Sequence, residues 1–287
     1  MPARLAVRDL SKHYGGVQAL RGVSLQVDAG EVLGLVGDNG AGKSTLVKTL
    51  SGAIAPSGGQ ILLDGEPVRF SSPAAARDAG VSIVYQDLSL ADQRDVAANF
   101  FLGREILARH WLARRLGWLD TRAMAAHTRR ELARLHTPIP DVHTAARDLS
   151  GGQRQALAIA RAAAWTSKVL LLDEPTSALG VEQQQQVLEL VRRVRDEGIA
   201  VIFISHQMPD VLAVCDRAVV LRLGSVAATL GRDQMTGENL VGYITGAKTG
   251  GTGNGTPATS ASPVGGSPPG TAGQTTGTSH DDERETR

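Results

Sequence analysis

The sequence of 287 residues predicts an α/β fold, with a parallel sheet at its centre, an antiparallel β region at the N-terminus and an inserted helical subdomain. The order strand, helix, strand over residues 169–205 points to the parallel core. VLLLDE and AVIFIS are short apolar runs of buried-strand type. Between them lies VEQQQQVLELVRRVRDEG, whose Val187, Leu190, Val191 and Val194 share one helical face. Strands joined through a helix of this length pair in parallel. The antiparallel region is indicated by short β-type runs and closely spaced turn residues before residue 70.

Along the chain, LAVRDL and ALRGVSLQV read as strands, and the Asp28-Ala29-Gly30 turn leads into the apolar strand EVLGLV. In ILLDGEPVRF, Asp64-Gly65 separates two β-type runs, a hairpin signal because both residues tolerate the positive φ that a two-residue turn requires. Ser72-Pro73 opens a short helix that Gly80 closes, and VSIVY follows as a buried strand. Residues 92–148 read as mostly helical. Within them Asp120 caps a helix running through MAAHTRRELARL, which Pro138 and Pro140 end. A further helix starts at Ser150. From about Lys248 the composition turns to Gly, Thr, Ser and Pro, too poor in apolar surface to order itself. Residues 1–246 are therefore expected to fold and residues 247–287 to form a disordered tail. No internal repeat is visible in the folded part.

Composition narrows the class of function. Hydrophobic residues make up 42% of the chain, enough for a buried core, and 30 Lys plus Arg against 29 Asp plus Glu leave a net charge of +1. No broad field favours nucleic acid or anionic lipid. The single cysteine, Cys215, excludes an internal disulfide and any multi-cysteine zinc site, and reads as a buried structural thiol. No signal peptide or apolar run of about 20 residues is present, so a soluble, cytoplasmic chain is expected.

The chemistry is concentrated in three segments. GDNGAGKST, from Gly37 through Asn39 and Gly40 to Thr45, fits the pattern G-x-x-x-x-G-K-[ST], with Gly37, Gly42, Lys43 and Ser44 at the fixed positions between a strand and a helix. Its glycines let backbone N–H groups curl around phosphate, and the helix N-terminus adds positive potential. Lys43 reaches the β- and γ-phosphates and Ser44 supplies a Mg²⁺ ligand. The pattern defines a P-loop NTPase core that takes a nucleoside triphosphate. Asp173 ends an apolar strand where a second Mg²⁺ ligand is expected, and Glu174 beside it suits activation of the attacking water. In LSGGQRQ, Ser150 and Gln153 have capping-box spacing. Capping alone leaves Gly151 and Gly152 unexplained, since glycine weakens a helix start; they expose N–H groups for a second anion-binding segment.

GDNGAGKST, LSGGQRQ and VLLLDEP together resemble the ATP-binding cassette family, over nearly all of residues 4–246. The resemblance implies an ATPase with ATP and Mg²⁺ as its cofactors. Two cassettes pack head to tail in that family, so a chain with one copy works as a homodimer or with another cassette. Ser150, Gly151, Gly152 and Gln153 would then meet the γ-phosphate held by a partner's Lys43. The resemblance further implies that Gln86 in VYQD senses metal and attacking water, that His206 in ISHQ contacts the γ-phosphate, and that Tyr14 in KHYGG stacks on adenine. One departure stands out: Gly180 in SALGV occupies a position where the family usually has Asp, a residue that links the two ATP sites.

The stretch YQDLSLADQRDVAANFFLGRE is similar to that of bacterial simple-sugar importers of the fructose or ribose type, and lies where such cassettes dock a membrane subunit. Integral-membrane permease subunits, a sugar-binding protein reached through them, and a place on the cytoplasmic face of the membrane are the partners and location so implied. An importer of branched-chain amino acids would share every catalytic residue. A soluble repair or translation ATPase is disfavoured by the lack of coiled-coil heptads, zinc-type cysteine pairs and a second cassette. Phe100, Phe101, Trp111 and Trp118 interleave with Arg104, Arg109, Arg114 and Arg115, but on a near-neutral chain this reads as core plus solvated face, so no nucleic-acid partner is expected.

Overall fold

The structure, a computed structural model, describes residues 2–108, 111 and 115–249. Four strands form an antiparallel sheet in the order β2-β1-β4-β5: β1 (Leu5–Tyr14), β2 (Val17–Val27), β4 (Gly58–Leu63) and β5 (Glu66–Val68). Asp64 and Gly65 form the β4–β5 turn, both at positive φ. Asp64 also pairs with Arg4 and Lys168, which ties the hairpin tip to the residues just before β1 and just before the strand Val169–Asp173.

The second sheet has the order β10-β9-β3-β8-β7-β6. It comprises β3 (Val32–Gly37), β6 (Val81–Val84), β7 (Val169–Asp173), β8 (Ala200–Ile204), β9 (Arg217–Arg222) and β10 (Ser225–Gly231). All its pairings are parallel except β9 with β10. β3, β7 and β8 are buried on both faces, which explains their unbroken apolar sequences. Alternate residues serve different cores. Leu33, Leu35, Leu171 and Ile202 share a core with the antiparallel sheet and helix α1 (Lys43–Leu50), whereas Val32, Val36, Leu172 and Phe203 share one with the helices after residue 95. EVLGLV, grouped in sequence with the N-terminal runs, is thus a central strand of the parallel sheet.

Ser72 caps α2 (Pro73–Asp78) by accepting from the Ala75 N–H, and Gly80 follows it at positive φ. Residues 92–148 are less helical than their sequence suggests. Among those described they hold α3 (Val96–Phe100), helical Trp111 and Arg115, α4 (Thr121–Arg134) and one 3₁₀ turn, with isolated bridges Asp95–Ala145 and Leu107–Leu119. Apolar residues fit a helix there, but Asn99 is fully buried and spends its side chain on the backbone of Ala91, Arg94 and Asp95, which holds a loop. Asp120 does cap α4, accepting from the Ala123 N–H. The helix stops before either proline, with His136 at φ +48° reversing the chain. α5 (Gly151–Trp165), α6 (Val181–Asp196), α7 (Met208–Val214) and α8 (Gly237–Thr245) complete the helices used below.

Phe100 and Phe101 pack inside with Trp165 and His127, while Trp111 and Trp118 are exposed. Arg109, Arg114 and almost all of the expected tail lie outside the described residues. Cys215 is buried against Gly34, and burial pushes its thiol far above the ordinary range, in keeping with an inert core residue.

Candidate nucleotide site

Parallel strands present their carboxyl ends to one edge, and that edge is where the chemistry gathers. The register sets Leu35 of β3 and Asp173 of β7 on either side of Ile204 of β8, and Val84 of β6 beside Leu172. The segments that leave these ends carry, in spatial order, the glycine-rich loop, His206, Asp173 with Glu174, and Gln86.

The loop from Gly37 to Gly42 owes its path to glycine. Gly37 has φ +154°, and a Cβ there would lie 2.3 Å from the Leu221 carbonyl oxygen. Gly42 has φ +105°, and its Cβ would lie 2.8 Å from the Ala19 oxygen. The chain then enters α1 at Lys43. The ammonium of Lys43 folds back over the loop and donates to the carbonyls of Gly37, at 2.6 Å, and Asp38, at 3.1 Å. Asn39, Gly40, Ser44 and Thr45 line, with Lys43, a cleft of about 500 Å³. Tyr14, at the end of β1, lines the same cleft with a half-exposed ring, and the Lys12 ammonium lies 5.3 Å from the ring centroid.

Asp173 is half-buried. Burial first, and then the charge of Glu174, raise its carboxyl above the ordinary range, while Lys43 and Lys48 draw it back. A carboxylate so placed is short of positive charge. Glu174 is held at φ +51°, a strained value for its residue type, by its N–H to the Ile204 carbonyl and by Ser177, whose N–H and hydroxyl both donate to the Glu174 carbonyl. Its side chain is largely buried. His206 Nδ1 lies 2.8 Å from Glu174 Oε2, near enough for charge pairing, but the angle makes no hydrogen bond and that oxygen is left without a hydrogen-bond partner. The His206 ring is otherwise exposed. Gln86 stands two residues beyond the end of β6 and is exposed.

A hydroxyl at Ser44 and a carboxylate at Asp173, the latter short of positive charge, are the hard oxygen donors that Mg²⁺ takes together with phosphate oxygens. Among the described residues no group of three or more His, Cys, Asp or Glu could hold a metal alone. The donor set therefore fits an ion that arrives with a nucleotide.

Ser150 to Gln153 are elsewhere. Ser150 caps α5 in a full capping box, its hydroxyl accepting from the Gln153 N–H while Gln153 Oε1 accepts from the Ser150 N–H. Gly151 and Gly152 pack toward Leu179 and Gln183, and none of the four residues lines the cleft. Sequence reasoning missed Leu223 and Gly224. They form the tip of the β9–β10 hairpin and wall the cleft, and the alternation of RAVVLR and SVAATLG about a glycine was the signal for them.

The comparisons agree with this geometry. The family model described as ABC transporter matches residues 20–177. The chain is 44% identical, over 85% of its length, to a fructose import ATP-binding protein of Rhizobium meliloti, of which it covers 94%. It is also 44% identical, over 84% of its length, to a ribose import ATP-binding protein of Burkholderia ambifaria, but spans only 46% of that longer protein. Among solved structures, cbiO1 of Clostridium perfringens, part of an ABC transporter complex, superposes with a TM-score of 0.70 at 28% identity, over 84% of this chain and 93% of that one. The ADP conformation of MJ1267, an ATP-binding cassette of an ABC transporter, gives 0.71 at 22%, over 86% and 100%. With the strand-end cluster, the phosphate loop and these likenesses in agreement, the chain belongs to the ABC transporter family, as one of its ATP-hydrolysing cassettes.

Proposed function

We propose that the chain energises an importer of a simple sugar of the fructose or ribose kind, working as a head-to-tail dimer beside integral-membrane permease subunits at the cytoplasmic face of the membrane. The observation that carries the reading is the division of the site. The phosphate loop, Asp173, Glu174 and His206 converge at one sheet edge, while Ser150–Gln153 point elsewhere on the same copy and complete nothing there. The names of the two relatives direct the cargo toward sugar.

In this reading Tyr14 stacks on the adenine of ATP. The N–H groups of Asn39, Gly40 and Gly42 through Thr45 cradle the phosphates. Lys43 leaves the Gly37 and Asp38 carbonyls for the β- and γ-phosphate oxygens. Ser44, Asp173 and Gln86 would hold Mg²⁺, which would neutralise phosphate charge. Glu174 takes a proton from water as the water oxygen attacks the γ-phosphorus, and ADP departs with the electrons of the broken P–O bond. His206 contacts the γ-phosphate. Ser150, Gly151, Gly152 and Gln153 of a second copy close over the same phosphate, so hydrolysis reopens the dimer and moves the permease. A groove of about 380 Å³ beside Gln86, walled by Tyr85, Leu88, Leu102 and Arg104, takes the permease element.

A membrane pull-down on tagged chain from its native host, with partners identified by mass spectrometry and ATPase assayed on the complex, tests the assignment. A polytopic permease with a sugar-binding protein is the expected result. Recovery of an amino-acid importer's subunits would change the cargo, and ribosomal or DNA-associated partners alone would remove transport.

A further inference from the structure

The β9–β10 hairpin breaks a local rule. Arg222 pairs with Ser225, so Leu223 and Gly224 form a two-residue turn, with φ +49° and +82°. Such turns favour Asn or Asp at the first position, because a left-handed backbone crowds a larger side chain. Leucine stands there instead, 65% exposed, where it has neither a conformational nor a burial advantage. The turn itself is tightly fixed. Gly224 donates its N–H to the Ala41 carbonyl of the phosphate loop and accepts the Arg21 N–H, and a Cβ on Gly224 would meet the Ala19 oxygen at 2.8 Å. The Leu223 side chain is therefore presented at a set position on the wall of the cleft that also holds Tyr14 and the phosphate loop. Val17, 68% exposed on the first residue of β2 and paired with Tyr14, lines that cleft too.

An exposed aliphatic pair beside a half-exposed aromatic ring, all bordering a phosphate cradle, has the chemistry of a slot for a flat heteroaromatic ring. We propose that Leu223, with Val17, supplies the aliphatic wall of the base site, and that the unfavourable turn residue is retained because it adds apolar contact to the purine of a bound nucleotide. Tyr14 alone offers one face; Leu223 and Val17 enclose the base further. The inference rests on the nucleotide reading of the cleft.

The test compares ATP, ADP and inorganic tripolyphosphate binding to the full chain by calorimetry, for the parent, Leu223→Asn and Leu223→Met. Asn tolerates the left-handed backbone, so Leu223→Asn should unfold at a temperature equal to or above the parent's. The same variant should bind ATP and ADP about fivefold more weakly, from the lost apolar contact, and tripolyphosphate unchanged. Leu223→Met keeps the aliphatic bulk and should retain parent affinity for all three. Unchanged ATP affinity in Leu223→Asn would overturn the proposal, as would equal losses for ATP and tripolyphosphate, which would make the turn a support for the phosphate loop. A parent that binds tripolyphosphate as tightly as ATP would remove the base site while leaving the phosphate site. A parent that binds neither would remove the nucleotide reading itself.

Discussion

The phosphate loop and the Ser150–Gln153 segment use the same materials, glycine N–H groups at the start of a helix, and are built to opposite standards. Around Gly37 and Gly42 the surrounding backbone approaches so closely that no side chain fits, and the loop is fastened to β2 and the β9–β10 hairpin. Around Ser150 the capping box satisfies the helix; Gly152 is close to Gln183, where a Cβ would lie 3.0 Å from that side chain, but Gly151 has only ordinary contact, 3.5 Å from a Leu179 methyl. Glycine is required at the first site by the molecule's own packing. At Gly151 no close approach among the described residues requires it, and in the proposed dimer its reason is the phosphate of a second copy.

Alanine separates the two cases, and the effect at Gly37 is the largest expected here. Gly37→Ala puts a methyl against the Leu221 carbonyl at a left-handed φ, and should destabilise the chain by about 3 kcal/mol or more and abolish ATP binding. Gly151→Ala should leave thermal stability within about 1 kcal/mol and still bind ATP, yet lose hydrolysis at high protein concentration, where a partner's phosphate must approach that backbone. Full hydrolysis in Gly151→Ala would break the comparison, leaving Gly151 no role beyond helix initiation.

The next largest effect sharpens the catalytic half. Glu174→Gln keeps the side chain's shape but cannot take a proton from water, so turnover should fall by about 10²-fold or more while ATP is retained. Sedimentation should then show an ATP-dependent dimer. Turnover near that of the parent would move the base elsewhere, and a monomer with ATP bound would count against closure across two copies.

Legibility in the sequence follows how local the determining physics is. Asp64-Gly65, Ser72-Pro73 and the Asp120 cap are each fixed by residues within four positions of one another, the GDNGAGKST loop is marked by its own glycines and lysine although distant backbone encloses it, and all four fold as their sequences indicate. The 92–148 region was misjudged because its loop is held by Asn99 and by long-range bonds such as Arg154 to Asp92, which no periodicity reveals. The phosphate loop, and the position of Asp173 and Glu174 at the end of β7, were legible. The Leu223-Gly224 wall was not, since it reaches the loop from nearly two hundred residues away.

A smaller effect concerns the price of the strand-end carboxylates. Asp173 is raised by burial and by Glu174, so its ionised form opposes folding of the nucleotide-free chain. Asp173→Asn should therefore raise the thermal midpoint of that chain while impairing Mg²⁺-dependent hydrolysis. The sign sets the pH range: the parent is disfavoured as pH rises through the folded-state pKa, so the variant's advantage is present above it and gone below the ordinary carboxyl value of 3.8. A midpoint lowered at neutral pH would mean that Lys43 and Lys48 outweigh burial.

The smallest effect belongs to Gly180, the N-cap of α6. Its backbone has the extended N-cap conformation, no side chain accepts from the first turn, and a Cβ there would meet nothing within 4 Å. Gly180→Asp should place a carboxylate on the free N–H groups of that turn and near the positive end of the helix. Against glycine the gain is only a few tenths of a kcal/mol, about 1 °C in midpoint for a chain of this size. The resemblance to the family implies that Asp is usual at this position, where it would link the two ATP sites, so the same substitution should steepen the dependence of hydrolysis on ATP. A steeper curve with a midpoint moved by about one degree would assign the acid to communication between sites, because so small a change in stability cannot alter cooperativity through the fold. A raised midpoint with an unaltered curve would make position 180 a helix cap and nothing more, and communication would then run through the backbone around it.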